Sequence, residues 1–215
     1  MHLGVPDMLR PQEKRRPAPH KAGFTLTEMM VVVAIISVTA GLAAPSMYGT
    51  FAENRIASAP IDLVRVVRRA RSEAQAYGRA HLLRFSATAP GVFTVYRGVS
   101  SSCSANAWAT TIIPAGACGA AGSLCVDELD LSDSYYSNGS LDIRATESGA
   151  RAAVDLCFEP YGRTLHRFTT AGVFSDQNTV NGGLIFNFMR YESGSTVGVT
   201  RRVVVPLGGD ARVMR

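Results

Sequence analysis

The stretch that most restricts this chain is the apolar run from Phe24 to Ala44, 21 residues whose only charge is Glu28. At about 1.5 Å per residue, a helix of that length is about 30 Å long, the thickness of the hydrocarbon layer of a bilayer. A helix that is apolar all round has no face to offer water and needs lipid or other apolar helices about it. Glu28 is the exception. A carboxylate inside a spanning segment costs about 2.5–3.5 kcal/mol on insertion scales, so its presence implies a partner. It stands near the head of the run, where the positive end of the helix dipole favours it.

The residues before the run carry Arg10, Lys14, Arg15, Arg16 and Lys21 against Asp7 and Glu13. Basic residues ahead of a spanning segment stay in the cytoplasm, so the chain after Ala44 is predicted to face outward. Met1 and Met8 are both available as starts of this Pro-rich leader. The 215-residue chain has a net charge of +5. The leader supplies more than half of that charge, so the basic balance does not by itself argue for nucleic acid. An ordinary secretory signal fits poorly. Its apolar core is about 7–15 residues, whereas this run is longer, is interrupted by Glu28 and has Pro45 against its small residues Ala43 and Ala44.

The sequence Gly23-Phe24-Thr25-Leu26-Thr27-Glu28 resembles the N-terminal signature of type IV pilins and pseudopilins. The resemblance implies that a prepilin peptidase cleaves between Gly23 and Phe24 on the cytoplasmic face and methylates the new amine of Phe24. It implies that Glu28 sets subunit registration by meeting an amine, its own or a neighbour's. The expected partners are the peptidase, the inner membrane and other pilins or pseudopilins.

The rest of the chain extends this layout. Residues 1–23 read as a cleaved leader and 24–44 as the transmembrane, assembly half of a long helix. Residues 45–78 read as its amphipathic half and 79–215 as a periplasmic, β-rich head. In the amphipathic half, Leu63, Val66, Val67, Ala70, Ala74 and Tyr77 form one apolar stripe at helical spacing. Gly41 and Pro45 predict a kink or local unwinding, and Gly78 a C-cap. His81–Phe85 and Val92–Tyr96 read as a hairpin, and Leu184–Phe188 with Arg202–Val205 as a second hairpin across 192–198. Leu141–Ile143 and Val154–Phe158 read as further strands, and 98–139 as a long loop with Trp108 and Thr111-Ile-Ile113. One long helix followed by antiparallel strands is an α+β, pilin-like fold. Ala70–Gly78, Phe158-Glu-Pro-Tyr-Gly-Arg163 and the tail Arg201–Arg215 resemble segments of the GspH/FimT group. That resemblance implies a minor pilin, with a type II secretion pseudopilin as the alternative.

Cys103, Cys118, Cys125 and Cys157 all follow the apolar run, with no Cys-x-x-Cys pair and no nearby histidine. In an exported head, that even count favours two disulfides over a zinc site. Three connectivities are open, and the reading leans to one bridge within 103–125 and one to Cys157. No nucleotide, hydrolase or metalloprotease motif is present, so neither an enzyme nor a cofactor or metal site is expected. His81 and His166 fall in strand-like stretches. Asp127, Glu128, Asp130 and Asp133 read as a solvated loop, because the spacing of a calcium loop is missing. Asn138-Gly-Ser140 matches a glycosylation pattern. Arg65, Arg68, Arg69 and Arg71 read as a solvated helix face. Arg201, Arg202, Arg212 and Arg215 form a basic tail. In some FimT-type minor pilins such arginines bind DNA, so DNA uptake is the rival of another class. The plainer reading is an edge strand blunted by charge.

Overall fold

The computed structural model describes residues 23–88, 90–108, 112, 118, 122–137, 141–168, 172–176 and 183–214, with the side chains of 43–49, 52 and 141 excepted. The leader up to Ala22, Asn138-Gly-Ser140 and Arg215 lie outside the described residues. The chain divides into two compact units, Met1–Pro45 and Ser46–Arg215.

Helix α1, Leu26–Tyr77, crosses that boundary. It begins two residues later than predicted because Thr25 serves as its N-cap. It ends as predicted at Gly78, whose φ of 64° is the left-handed conformation that glycine adopts without strain. The local unwinding predicted at 41–45 does not occur, because the helix runs on through Pro45 and again through Pro60. A proline removes one backbone hydrogen bond, and the intact turns on either side carry the helix past it. Within the apolar run the helix covers Leu26 to Ala44, with side chains described as far as Leu42. Among the described residues no helix is long and apolar enough to cross a membrane.

In the second unit the strands are β1 (His81–Ser86), β2 (Val92–Arg97), β3 (Cys125–Asp130), β4 (Leu141–Glu147), β5 (Ala153–Phe158), β6 (Thr164–Arg167), β7 (Leu184–Glu192), β8 (Ser195–Val205) and β9 (Arg212–Met214). They form two antiparallel sheets, of order β3-β2-β1-β5-β6 and β4-β7-β8-β9. Both predicted hairpins form, as β1–β2 and β7–β8. The second turn is tighter than expected. Ser193 (φ 49°) and Gly194 (φ 83°) make a two-residue connection with positive φ at both positions, which matches the twist of a hairpin.

The apolar stripe of α1 packs against one side of both sheets. Ile56, Ala59, Leu63, Val66, Val67, Ala70 and Ala74 join Leu83, Val95, Leu156, Phe158, Val203 and Val205 in the main core. Tyr77, predicted as the end of the stripe, is 59 % exposed instead. Its ring lies 5.4 Å beneath the guanidinium carbon of Arg97, a cation–π contact at the surface. Four aromatic rings join the two sheets. Phe93 has Phe85 of the first sheet at 4.8 Å and Phe186 and Phe188 of the second at 5.2 and 6.1 Å. Each ring pair adds about 0.5–1.5 kcal/mol beyond its buried area.

The other side of the first sheet has its own small core. Leu82, Tyr96, Cys157 and Leu165 are covered by Ala80, Cys103, Trp108 and Ile112. The described part of the long loop is therefore folded onto the sheet. Asn106 organises it. Its Oδ1 accepts from the N–H groups of Val99 and Ser100, and its Nδ2 donates to the carbonyls of Ser100 and Ser102. Trp108 Nε1 donates to the Cys103 carbonyl at 2.8 Å, which satisfies the only polar atom of a buried ring.

Candidate assembly site

Thr25 and Glu28 close the start of α1 reciprocally. The Glu28 N–H donates to Thr25 Oγ1 at 3.2 Å, and Glu28 Oε2 accepts from the Thr25 N–H and hydroxyl at 3.0 Å each. This is a capping box, which satisfies two of the amide donors that a helix start leaves unpaired. The Thr-x-x-Glu spacing of this box is present in the sequence and gives Glu28 a partner besides the amine expected for it. Glu28 Oε1 accepts no hydrogen bond among the described residues, so half of the carboxylate is free for a second partner.

The bond between Gly23 and Phe24 is open. A Cβ built on Gly23 would meet no atom within 4 Å, and Phe24 is 82 % exposed. Every described residue from Gly23 to Leu42 is exposed, including Met30, Val31, Ile35, Ile36 and Val38. Apolar area left open on that scale marks a surface meant for lipid or for other helices.

In the head, Cys103 is bonded to Cys157 and Cys118 to Cys125. The first bond pins the folded loop to β5. Cys118, Cys125 and Glu128 also bring two sulfurs and a carboxylate within 4.8 Å of one another, but the sulfurs are bonded to each other and offer no thiolate. Asp127, Glu128 and Asp130 are not in a loop, as predicted, but on β3, which the alternation missed because Val126 and Leu129 do not alternate strictly. Asp127 pairs with Arg69 at 3.3 Å. Burial and the neighbouring Asp130 hold the Glu128 carboxyl above its usual range.

The basic tail does not stay together. Arg201 lies opposite Phe188, on the core side of the second sheet. Arg202 lies opposite Met214, which shares its side with Arg212, so these two arginines occupy the other face. The helix set divides as well. Arg65 and Arg69 pair with Asp62 and Glu73 at the surface. Arg71, predicted as solvated, turns inward. Its Nη2 donates to the Pro206 carbonyl at 2.9 Å, its Nη1 to the Gly209 carbonyl, and its guanidinium carbon lies 5.3 Å over the Phe158 ring. It fastens the connection between β8 and β9.

Sequence reading missed the Asp155 cluster altogether. Asp155 is 1 % exposed on β5. Arg84 of β1 grips it with two bonds of 2.7 Å, and Arg167 Nε of β6 donates to Oδ2 at 2.8 Å. The three residues are cross-strand neighbours in one row. His81 and His166 are buried, and burial pushes both pKa values down. No described cleft brings a histidine together with a nucleophile.

Residues 19–44 match the prokaryotic N-terminal methylation motif, which marks precursors of type IV pilin-like proteins and pseudopilins. No curated protein and no solved structure matches the chain. The match ends where the apolar run ends and leaves the head uncompared, so it assigns the chain a precursor's N-terminus and points to a structural, pilin-type protein, made to be processed and assembled with others.

Proposed function

We propose that this chain is a minor type IV pilin or pilin-like subunit. A prepilin peptidase cuts the exposed Gly23–Phe24 bond and methylates the amine of Phe24. The released helix waits in the inner membrane with the head in the periplasm, then enters a fibre by packing its apolar faces on those of other subunits. The observation that carries the reading is the methylation motif at 19–44 ending in a helix whose apolar residues have no cover of their own. Glu28, already held by Thr25 through one oxygen, has its second oxygen left for the amine of a neighbour.

A pseudopilin of a type II secretion machine would use the same physics, and the operon around the gene separates the two. DNA capture by the tail is a further reading, favoured by Arg202 and Arg212 sharing a face. A salt-sensitive gel shift that is lost in Arg202→Ala/Arg212→Ala would support it. The decisive measurement for processing is the intact mass of the protein recovered from cell membranes. The expected mass begins at Phe24, carries one added methyl group and lacks four cysteine hydrogens. A mass that includes residues 1–23 removes the proposal.

A further inference from the structure

Arg68, Arg71, Ser72 and Gln75 stand at i, i+3, i+4 and i+7 on α1 and so share one face of the helix. That face is one wall of a groove of about 500 Å³, inside the range of about 300–1,000 Å³ usual for binding clefts. The other wall is built from the β5–β6 turn and the β8–β9 connection at 207–210. Both parts of it are braced. In the turn, the Gly162 N–H donates to the Glu159 carbonyl at 3.0 Å and the Glu159 N–H to the Arg163 carbonyl at 2.8 Å. Glu159 Oε1 accepts from the Cys103 N–H at 2.9 Å, and Cys103 is itself bonded to Cys157. The connection is held by the fork of Arg71. Walls that need no ordering leave more of the contact energy for affinity. Tyr161, at the tip of the same turn, is 90 % exposed, an aromatic side chain held out as interface anchors are.

The unused polar groups of the groove are of both kinds. The Arg68 guanidinium is exposed and has no hydrogen-bond or ion-pair partner among the described residues, and Arg71 Nε is buried with no acceptor. Glu159 Oε2 accepts no hydrogen bond among the described residues. The Asp210 side chain is 76 % exposed, with Arg71 Nη1 3.8 Å away. A free anion would suit the two arginines and be repelled by the two carboxylates. A nucleic-acid strand, with a phosphate at every step, would meet the same repulsion. An acidic peptide matches both sets. Its side-chain carboxylates accept from the arginines in charge-assisted bonds, and its backbone N–H groups donate to Glu159 and Asp210.

We propose that this groove is a docking slot for an extended acidic segment of a different subunit, with a carboxylate at Arg68 and Arg71 and a side chain against Tyr161 at the rim. The slot gives the head its own means of choosing a neighbour, by charge and by shape, besides the packing of apolar helices. It rests on the assembly reading only for the identity of the partner, since every residue that forms it belongs to the head.

The test uses the full chain in detergent micelles and a synthetic peptide of four glutamates around a central p-benzoylphenylalanine, acetylated and amidated at its ends. A peptide with four glutamines is the control. On illumination the acidic peptide should crosslink to the β5–β6 turn and to 207–210, and the glutamine peptide should do so about fivefold less. Arg68→Gln should lower the yield of the acidic peptide about fivefold, the order of one exposed charge pair. Tyr161→Ala should lower it as well, and so should 1 M salt, where screening acts within about 3 Å. Neither side chain takes part in a described bond, so unchanged thermal melts of both variants exclude misfolding as the cause. Crosslinks to another segment, equal yields from the two peptides, or a yield indifferent to Arg68→Gln overturn the proposal. Inorganic phosphate or a ten-residue oligothymidylate that displaces the peptide at a lower concentration than unlabelled acidic peptide also overturns it, because the slot then belongs to a free anion or to nucleic acid. The intact mass of the same samples reports cleavage at Gly23 separately, so the two readings fail independently.

Discussion

Asp155→Ala would remove the one negative charge between Arg84 and Arg167. The side chains of these arginines are 14 % and 8 % exposed, and Asp155 is 1 % exposed. Breaking a buried ion pair from one side costs about 3–5 kcal/mol, because the remaining charge is left without compensation. Here two guanidiniums lose the same partner and then face each other, which puts the cost at the upper end, about 4–5 kcal/mol. A domain holds only about 5–15 kcal/mol in total. Trp108 is the only tryptophan and is 2 % exposed in the small core on the same side of the sheet, so its fluorescence reports this region. With a urea slope of about 2 kcal/mol per molar, the midpoint should fall by about 2 M. The triple variant Arg84→Met/Asp155→Leu/Arg167→Met should recover most of that loss, since apolar replacement of a buried ion cluster is often neutral or stabilising. A midpoint for Asp155→Ala within about 0.5 M of the parent would refute the claim that this carboxylate is what makes the row of charges tolerable.

Two further outcomes follow from the head. Arg71→Ala removes two bonds from a guanidinium to the carbonyls of Pro206 and Gly209; it should cost about 1.5–3 kcal/mol, and hydrogen exchange should quicken at 212–214 before it does at β1 or β5. Arg71→Lys should not rescue it, because a single ammonium does not reproduce a fork reaching two carbonyls. Burial lowers the pKa of His81 and His166 in the folded chain, so the unfolded chain takes up their protons first as pH falls through about 6.5. Stability should therefore be level above that pH and decline below it, and urea midpoints between pH 7.5 and 5.5 should show a weaker decline in His81→Gln/His166→Gln.

What the sequence made legible was what repeats at a fixed period. The helix stripe, the two hairpins and the Gly78 stop follow from spacing and from glycine's freedom, and the structure has each of them. What it hid depends on neighbours distant in the chain. Arg71 sits among surface arginines at helical spacing, and only the loop from Pro206 to Gly209 shows that it turns inward. Asp155 looks like an outward residue in an alternating strand, and it is buried because Arg84 and Arg167 arrive from strands on both sides. Strand β3 carries three acids, which reads as solvent, and its place is fixed by pairing with β2. At the N-terminus the reverse held. The methylation motif there is local, so its span can be read from the residues themselves, and the Thr25 cap follows from the Thr-x-x-Glu spacing once the carboxylate is allowed two partners, one for each oxygen.

The cap that Glu28 makes and the amine contact proposed for it are two roles that a single alanine substitution confounds. A capping box accepts Glu or Gln at its third helical position, because either can receive the hydrogen bond from the capping residue's N–H. Only Glu brings the charge that an amine at Phe24 requires, and that amine would otherwise place a positive charge at the positive end of the helix dipole. Glu28→Gln should therefore keep the helix start, read as unchanged protection of the first-turn amides, while incorporation into fibres drops. Glu28→Ala should lower incorporation and also lose the return bond to the Thr25 N–H, so first-turn amide protection should weaken although Thr25 Oγ1 still accepts from the N–H of residue 28. If the glutamine variant assembled as well as the parent, the carboxylate would be a cap alone, and the neighbour's amine would have no part in setting the register of the helices.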